Sequence, residues 1–171
     1  MAQMIKFNLS EESILGAVKK LRMYAQELDF KTSKLIQTLA SNGIKVINAN
    51  KYTDGDSDSS DIHAWLESNS SSGISKVTLI MHGKDVAFIE FGAGITFNGS
   101  AGSSPNPKGQ ELGMTIGSYG YGQGKNESWK YYNEQVGDYI ISYGTKAAMP
   151  MYKAEKEIIR TFLDVAKKVF K

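Results

Sequence analysis

The chain has 171 residues, 41% hydrophobic and 22% charged, which fits one globular domain with a buried core and leaves little room for a second. A formal net charge of +2 supplies no broad electrostatic footprint for nucleic acid or an anionic membrane. The absence of cysteine excludes disulfides, thiolate nucleophiles and cysteine-ligated zinc or iron–sulfur sites.

Residues 1–9 have neither the basic start nor the apolar stretch of a signal peptide, and no apolar run approaches the ~20 residues that cross a bilayer. A soluble protein made in a cytoplasm, without a membrane partner, is the expectation.

Ser10 suits a helix N-cap, followed by Glu11 and Glu12 where the helix dipole favours negative charge. Ile14, Leu15, Val18, Leu21, Ala25 and Leu28 then recur at three- and four-residue steps, and Leu35, Ile36 and Leu39 extend the stripe. The pattern predicts one long helix over about 10–42, with a possible bend near Asp29 and a stop at Asn42 and Gly43. Ile44 to Ile47 reads as a short strand. Residues 48–73, rich in Asp, Ser, Asn and Gly, read as a solvated excursion with at most a helical turn over 62–67.

Val77, Leu79 and Met81 alternate with Lys76, Thr78 and Ile80, and the run Val86 to Phe91 follows the turn-forming His82, Gly83, Lys84 and Asp85. This predicts an antiparallel hairpin. Residues 93–137 hold most of the 17 glycines, interspersed with Tyr119, Tyr121, Trp129, Tyr131 and Tyr132, and read as a second long inserted loop. Tyr139 to Tyr143 reads as a strand. Pro150 opens a terminal helix whose apolar face is Met151, Ala154, Ile158, Phe162, Val165 and Val169, with Lys167, Lys168 and Lys171 at its cation-favouring end. The fold class is therefore α+β: two helices packed on a small antiparallel sheet, in one domain over 1–171.

The chemistry-bearing patterns are incomplete. Asp54, Asp56 and Asp58 match the opening of an EF-hand loop, but Ser59 takes the required glycine's place and Trp65 that of the closing glutamate. The run Gly117 to Lys125 resembles a phosphate loop, yet Tyr119 and Asn126 stand where a Walker loop needs Gly and Ser or Thr. His63 and His82 lack short-spaced companions, and no Gly-x-Ser-x-Gly elbow occurs. Glu90, flanked by Phe88, Ile89 and Phe91, is the candidate for a tuned acid or base; a salt-bridge or exposed strand position is the blander alternative. No metal, cofactor or catalytic residue is expected, and the protein is not expected to be an enzyme. The aromatic residues of 93–137 point instead to an interface, because Tyr and Trp give large contact area at low rotamer cost.

Ile89-Glu90-Phe91-Gly92, followed after a variable loop by Pro150-Met151-Tyr152-Lys153-Ala154 at a helix start, resembles the HK97 gp10-like family of phage tail-component proteins. Ala93 replaces the family's usual threonine, and the apolar residues of the second motif are substituted. The resemblance covers the architecture of roughly two-thirds of the chain; 48–73 and 93–137 look like insertions. It implies a virion protein of the head–tail neck, acting in tail completion as a homo-oligomeric ring, with six copies one candidate number. Implied partners are tail terminator, tail-tube and head-closure proteins, with genomic DNA only passing through the lumen. A tail terminator or head-closure protein is the alternative, ahead of a ligand-binding module or an enzyme. Glu90, Phe91, Gly92, Tyr119, Tyr121, Trp129, Tyr131, Tyr132, Pro150 and Tyr152 are the interface candidates, with Glu90 and Phe91 at a loop root or subunit boundary.

Overall fold

In a computed structural model, the described residues are 6, 8–52, 61–71, 74–92, 96–97, 100–101, 107–112, 128–142 and 144–171. In chain order they form α1 (Glu11–Asn50), β1 (His63–Ser71), β2 (Ile74–His82), α2 (Val86–Phe91), β3 (Thr96–Phe97), β4 (Ser100–Ala101), α3 (Pro107–Glu111), β5 (Trp129–Asn133), β6 (Asp138–Ser142) and α4 (Pro150–Phe170). The fold class is α+β, with a long N-terminal helix, a C-terminal helix and small antiparallel sheets. Each sheet has two strands: β1 with β2, β3 with β4, and β5 with β6.

α1 begins as its sequence dictates. The Ser10 hydroxyl accepts the Ser13 N–H at 3.4 Å, while the Ser13 hydroxyl accepts the Asn8 N–H at 3.0 Å, a reciprocal cap that satisfies donors at the frayed end. The helix runs unbroken through Asp29 and past Asn42 and Gly43, so neither the stop nor the Ile44–Ile47 strand forms. Gly43 is instead a contact point. A Cβ there would lie 2.6 Å from Leu79 Cδ2 and 3.0 Å from Ile158 Cδ1, so any larger residue would push these two side-chain ends aside. Leu35, Leu39, Ala40, Gly43 and Ile47 carry the buried face.

α4 lies antiparallel along the C-terminal half of α1. The Lys153 ammonium donates to Asn50 Oδ1 at 2.9 Å at one end, and Ile158 reaches Gly43 further along. At 1.5 Å per residue α1 is about 60 Å long and α4 about 30 Å, so α4 ends about level with residue 31. From Glu11 to Phe30 no residue of α1 is buried. This N-terminal arm extends about 30 Å beyond the core.

The hairpin differs from expectation. β2 pairs with β1, from His63 opposite His82 to Ser71 opposite Ile74, and the residues expected as its second strand form α2. Residues 63–71 therefore lie in a strand rather than in a solvated loop or helical turn. Their Ser- and Asn-rich sequence is recruited by β2, whose alternating Val77, Leu79 and Met81 face α1 with Ala64 and Leu66. Val86 to Phe91 turns helical because Ile89, Glu90 and Phe91 are all buried, which an alternating strand on one face cannot achieve. The Ile89 N–H closes the turn on the Asp85 carbonyl at 3.0 Å.

β6 and α4 form where the sequence places them. The β5–β6 turn uses Asn133, whose Oδ1 accepts the N–H groups of Gln135 and Val136 at 2.9 and 3.2 Å, and Gly137 at φ +72°. Residues 96–97, 100–101, 107–111 and 129–133 of the expected 93–137 loop lie in short elements. Among the described residues no helix is long and apolar enough to cross a membrane.

Candidate functional site

The two motifs that carry the family resemblance meet in space. α4 has no cap of its own: its N-cap residue is Met149, held at φ 59° and ψ 45°, with no side-chain acceptor. Glu90 supplies the acceptor from 61 residues away in the chain, Oε2 taking the Met151 N–H at 2.8 Å and Oε1 the Tyr152 N–H at 3.0 Å. The Ile89 carbonyl accepts the N–H groups of Ala148 and Met149 at 2.8 and 3.3 Å. Two orphan donors of a helix N-terminus and the two residues before it are thereby satisfied by one turn of α2. Pro150, fully buried, starts the helix with its φ already set.

Burial pushes the Glu90 carboxyl above its ordinary value of 4.5, against the opposing pull of the Met151 and Tyr152 N–H groups and the Lys153 charge. Both oxygens point into the backbone of α4, so the group is held as a strut. The Phe91 ring packs on α3, where a Cβ at Gly109 would sit 2.9 Å from Phe91 Cδ1. Gly92 takes φ +82° and donates to the Phe88 carbonyl at 2.7 Å, ending α2 at the root of residues 93–137.

Glu90, Phe91, Gly92 and Pro150 are buried positions at the root of residues 93–137. Tyr152 is half-buried, with the Lys156 ammonium 5.0 Å from its ring centroid. Tyr131 and Tyr132 are exposed on β5, where Tyr132 meets Tyr139 edge-on at 5.4 Å. Trp129 lies opposite Ser142 on the same ladder. Tyr119 and Tyr121, the acidic run Asp54 to Asp58 and the Gly117–Lys125 segment lie outside the described residues.

Two open clefts flank the strut. One, of about 340 Å³, lies between the end of α1 and the start of α4, lined by Asn50, Tyr52, Lys146 and Lys153 among others. The other, of about 270 Å³, is apolar, with Met81, Val86, Phe91 and Met151 around Glu90. His63 and His82, unrelated in sequence, face one another across the β1–β2 ladder, and the Trp65 ring lies 6.4 Å from that of His82. Among the described residues no three His, Cys, Asp or Glu side chains gather as a metal site.

Among the described residues, large apolar side chains are exposed on both long helices. Along the arm Leu15, Leu21 and Leu28 are 61%, 55% and 43% exposed, and on α4 Ile159 and Leu163 are 62% and 66% exposed. The sequence shows the arm's stripe as continuous with that of residues 35–39, and the second stripe on α4 is not singled out there. The missed signal is length, since 21 residues of α4 cannot cover the 40 of α1.

No protein-family model matches the chain, and neither a curated protein nor a solved structure matches it.

Proposed function

We propose that this protein is a structural subunit of a bacteriophage head–tail neck, a tail-completion component that assembles as a homo-oligomeric ring. The observation that carries the reading is the apolar surface left uncovered on α1 and α4. Apolar side chains exposed at helical spacing along both long helices support a surface covered by a protein partner. The neck assignment rests on the resemblance of the 89–92 and 150–154 segments to the HK97 gp10-like family, and it is supported by their union into one mechanical unit through Glu90. A carboxylate with both oxygens engaged by backbone N–H groups suits a structural role better than proton transfer. In this reading residues 93–137, which follow the Gly92 turn, supply subunit-specific contacts with tail-tube and head-closure neighbours.

Two images test the proposal. Negative-stain microscopy of the purified chain should show closed rings with a central opening, and a label on the protein in virions should lie where head meets tail. A label on the capsid shell or the tail tip, or a protein absent from the particle, would overturn the neck assignment.

A further inference from the structure

α4 is apolar around roughly 180° of its circumference at 3.6 residues per turn, well beyond the ~100° stripe of a helix with one neighbour. Half of that arc, at Ala154, Ile158 and Val165, faces α1; the other half, at Ile159, Leu163, Ala166 and Phe170, faces away from it. The arm does not cover this outer half within its own chain, because α1 is one continuous helix and its first 20 residues run beyond the end of α4 with none buried. Two apolar stripes thus lie on one molecule, each lacking a partner of the other's shape.

We infer that the arm of one copy, residues 11–28, docks antiparallel on the outer face of α4 of a second copy. The inference rests on the homo-oligomeric reading above and names its contact. Three observations select this occupant. Ile14, Val18, Leu21 and Ala25 are spaced by four, three and four residues; Phe170, Ala166, Leu163 and Ile159, read backwards, have the same spacing. In that register Ile14 meets Phe170, Val18 meets Ala166, Leu21 meets Leu163 and Ala25 meets Ile159, with a small residue opposite a larger one at two of the four layers. The register also sets Glu11 and Glu12 at the end of α4 that carries Lys167, Lys168 and Lys171, whereas a parallel arrangement would set them among the mixed charges of Glu155, Lys156 and Glu157.

The contact is heterologous, since one copy gives its arm and the next gives its α4, and such contacts form a ring when their rotation closes. Each docked pair would bury about 1,000 Å², the lower limit for a specific interface, so a lone pair is weak and the closed ring gains from every subunit making two contacts.

The cysteine-free sequence makes cross-linking unambiguous. Full-length Ala25→Cys and Ile159→Cys proteins are mixed, oxidised mildly and run without reductant, beside a light-scattering measurement of mass. The mixture should give a covalent dimer as its main product, with little from either variant alone, and a Val18→Cys with Ala166→Cys mixture should do the same. Efficient dimers from Ala25→Cys alone would overturn the inference in favour of arm pairing with arm. Oligomers by light scattering without the mixed cross-link would overturn it and leave the ring reading standing. A monomer at every concentration would overturn it as well, with the neck assignment then decided by the particle label.

Discussion

Removing the Glu90 side chain would leave the Met151 and Tyr152 N–H groups at the start of α4 without acceptors. An unmade hydrogen bond in a part-buried setting costs about 1–3 kcal/mol, so Glu90→Ala is expected to lose about 2–4 kcal/mol in urea unfolding. Glu90→Gln keeps one acceptor and is expected to lose less. The pH dependence has a definite sign. Burial raises the carboxyl above 4.5 in the folded chain, so between 4.5 and that raised value the folded state holds more protons than the unfolded one. Glu90's contribution is thus fully present below 4.5 and is lost as pH rises through the folded value. The stability gap between the native protein and Glu90→Gln should narrow from pH 4 upward in thermal melts. A gap that widens over that range would show that the two N–H groups outweigh burial.

At the scale of elements, one substitution has opposite expected signs at two glycines of α1. Gly16 sits on the exposed arm with nothing within 4 Å of an added Cβ, so Gly16→Ala should gain about 0.5–1 kcal/mol of helix propensity, read as higher helicity and slower amide exchange in the arm. Gly43→Ala gains the same propensity but drives a methyl against Leu79 and Ile158, an overpacking cost of about 1–3 kcal/mol, so its melting temperature should fall. Gly43 also shows why part of the fold was not legible. Asn42 followed by Gly43 is a local stop signal, and the contacts that favour a small residue there come from residues 36 and 115 positions further along. The start of α1, β6 and α4 were legible because caps, alternation and Pro150 act within a few residues. β1 was not, since its pairing energy lies in β2. Val86 to Phe91 has strand composition, and what makes it a helix is Glu90 reaching the start of α4. The site followed the same rule: Glu90, Phe91 and Pro150 stood out by type, but their junction depends on a turn 61 residues away.

Across the whole molecule, stability and assembly should be separable. The core is built around Ile47, Ile62, Ile89 and Pro150, all fully buried, whereas the arm contributes no buried residue between Glu11 and Phe30. Leu21, at 55% exposure, therefore does little for the isolated fold. Leu21→Glu should change unfolding free energy by no more than about 0.5 kcal/mol, the range of surface substitutions away from special features. In the assembled state the same carboxylate would be set among apolar side chains opposite Leu163, a desolvation cost that a contact near the minimum specific area cannot absorb. The expected outcome is an unchanged circular dichroism spectrum and melting temperature measured at low concentration, with oligomers lost in analytical ultracentrifugation. A drop in melting temperature with oligomers retained would place the arm inside the chain's own core and remove the basis for reading it as an intersubunit device.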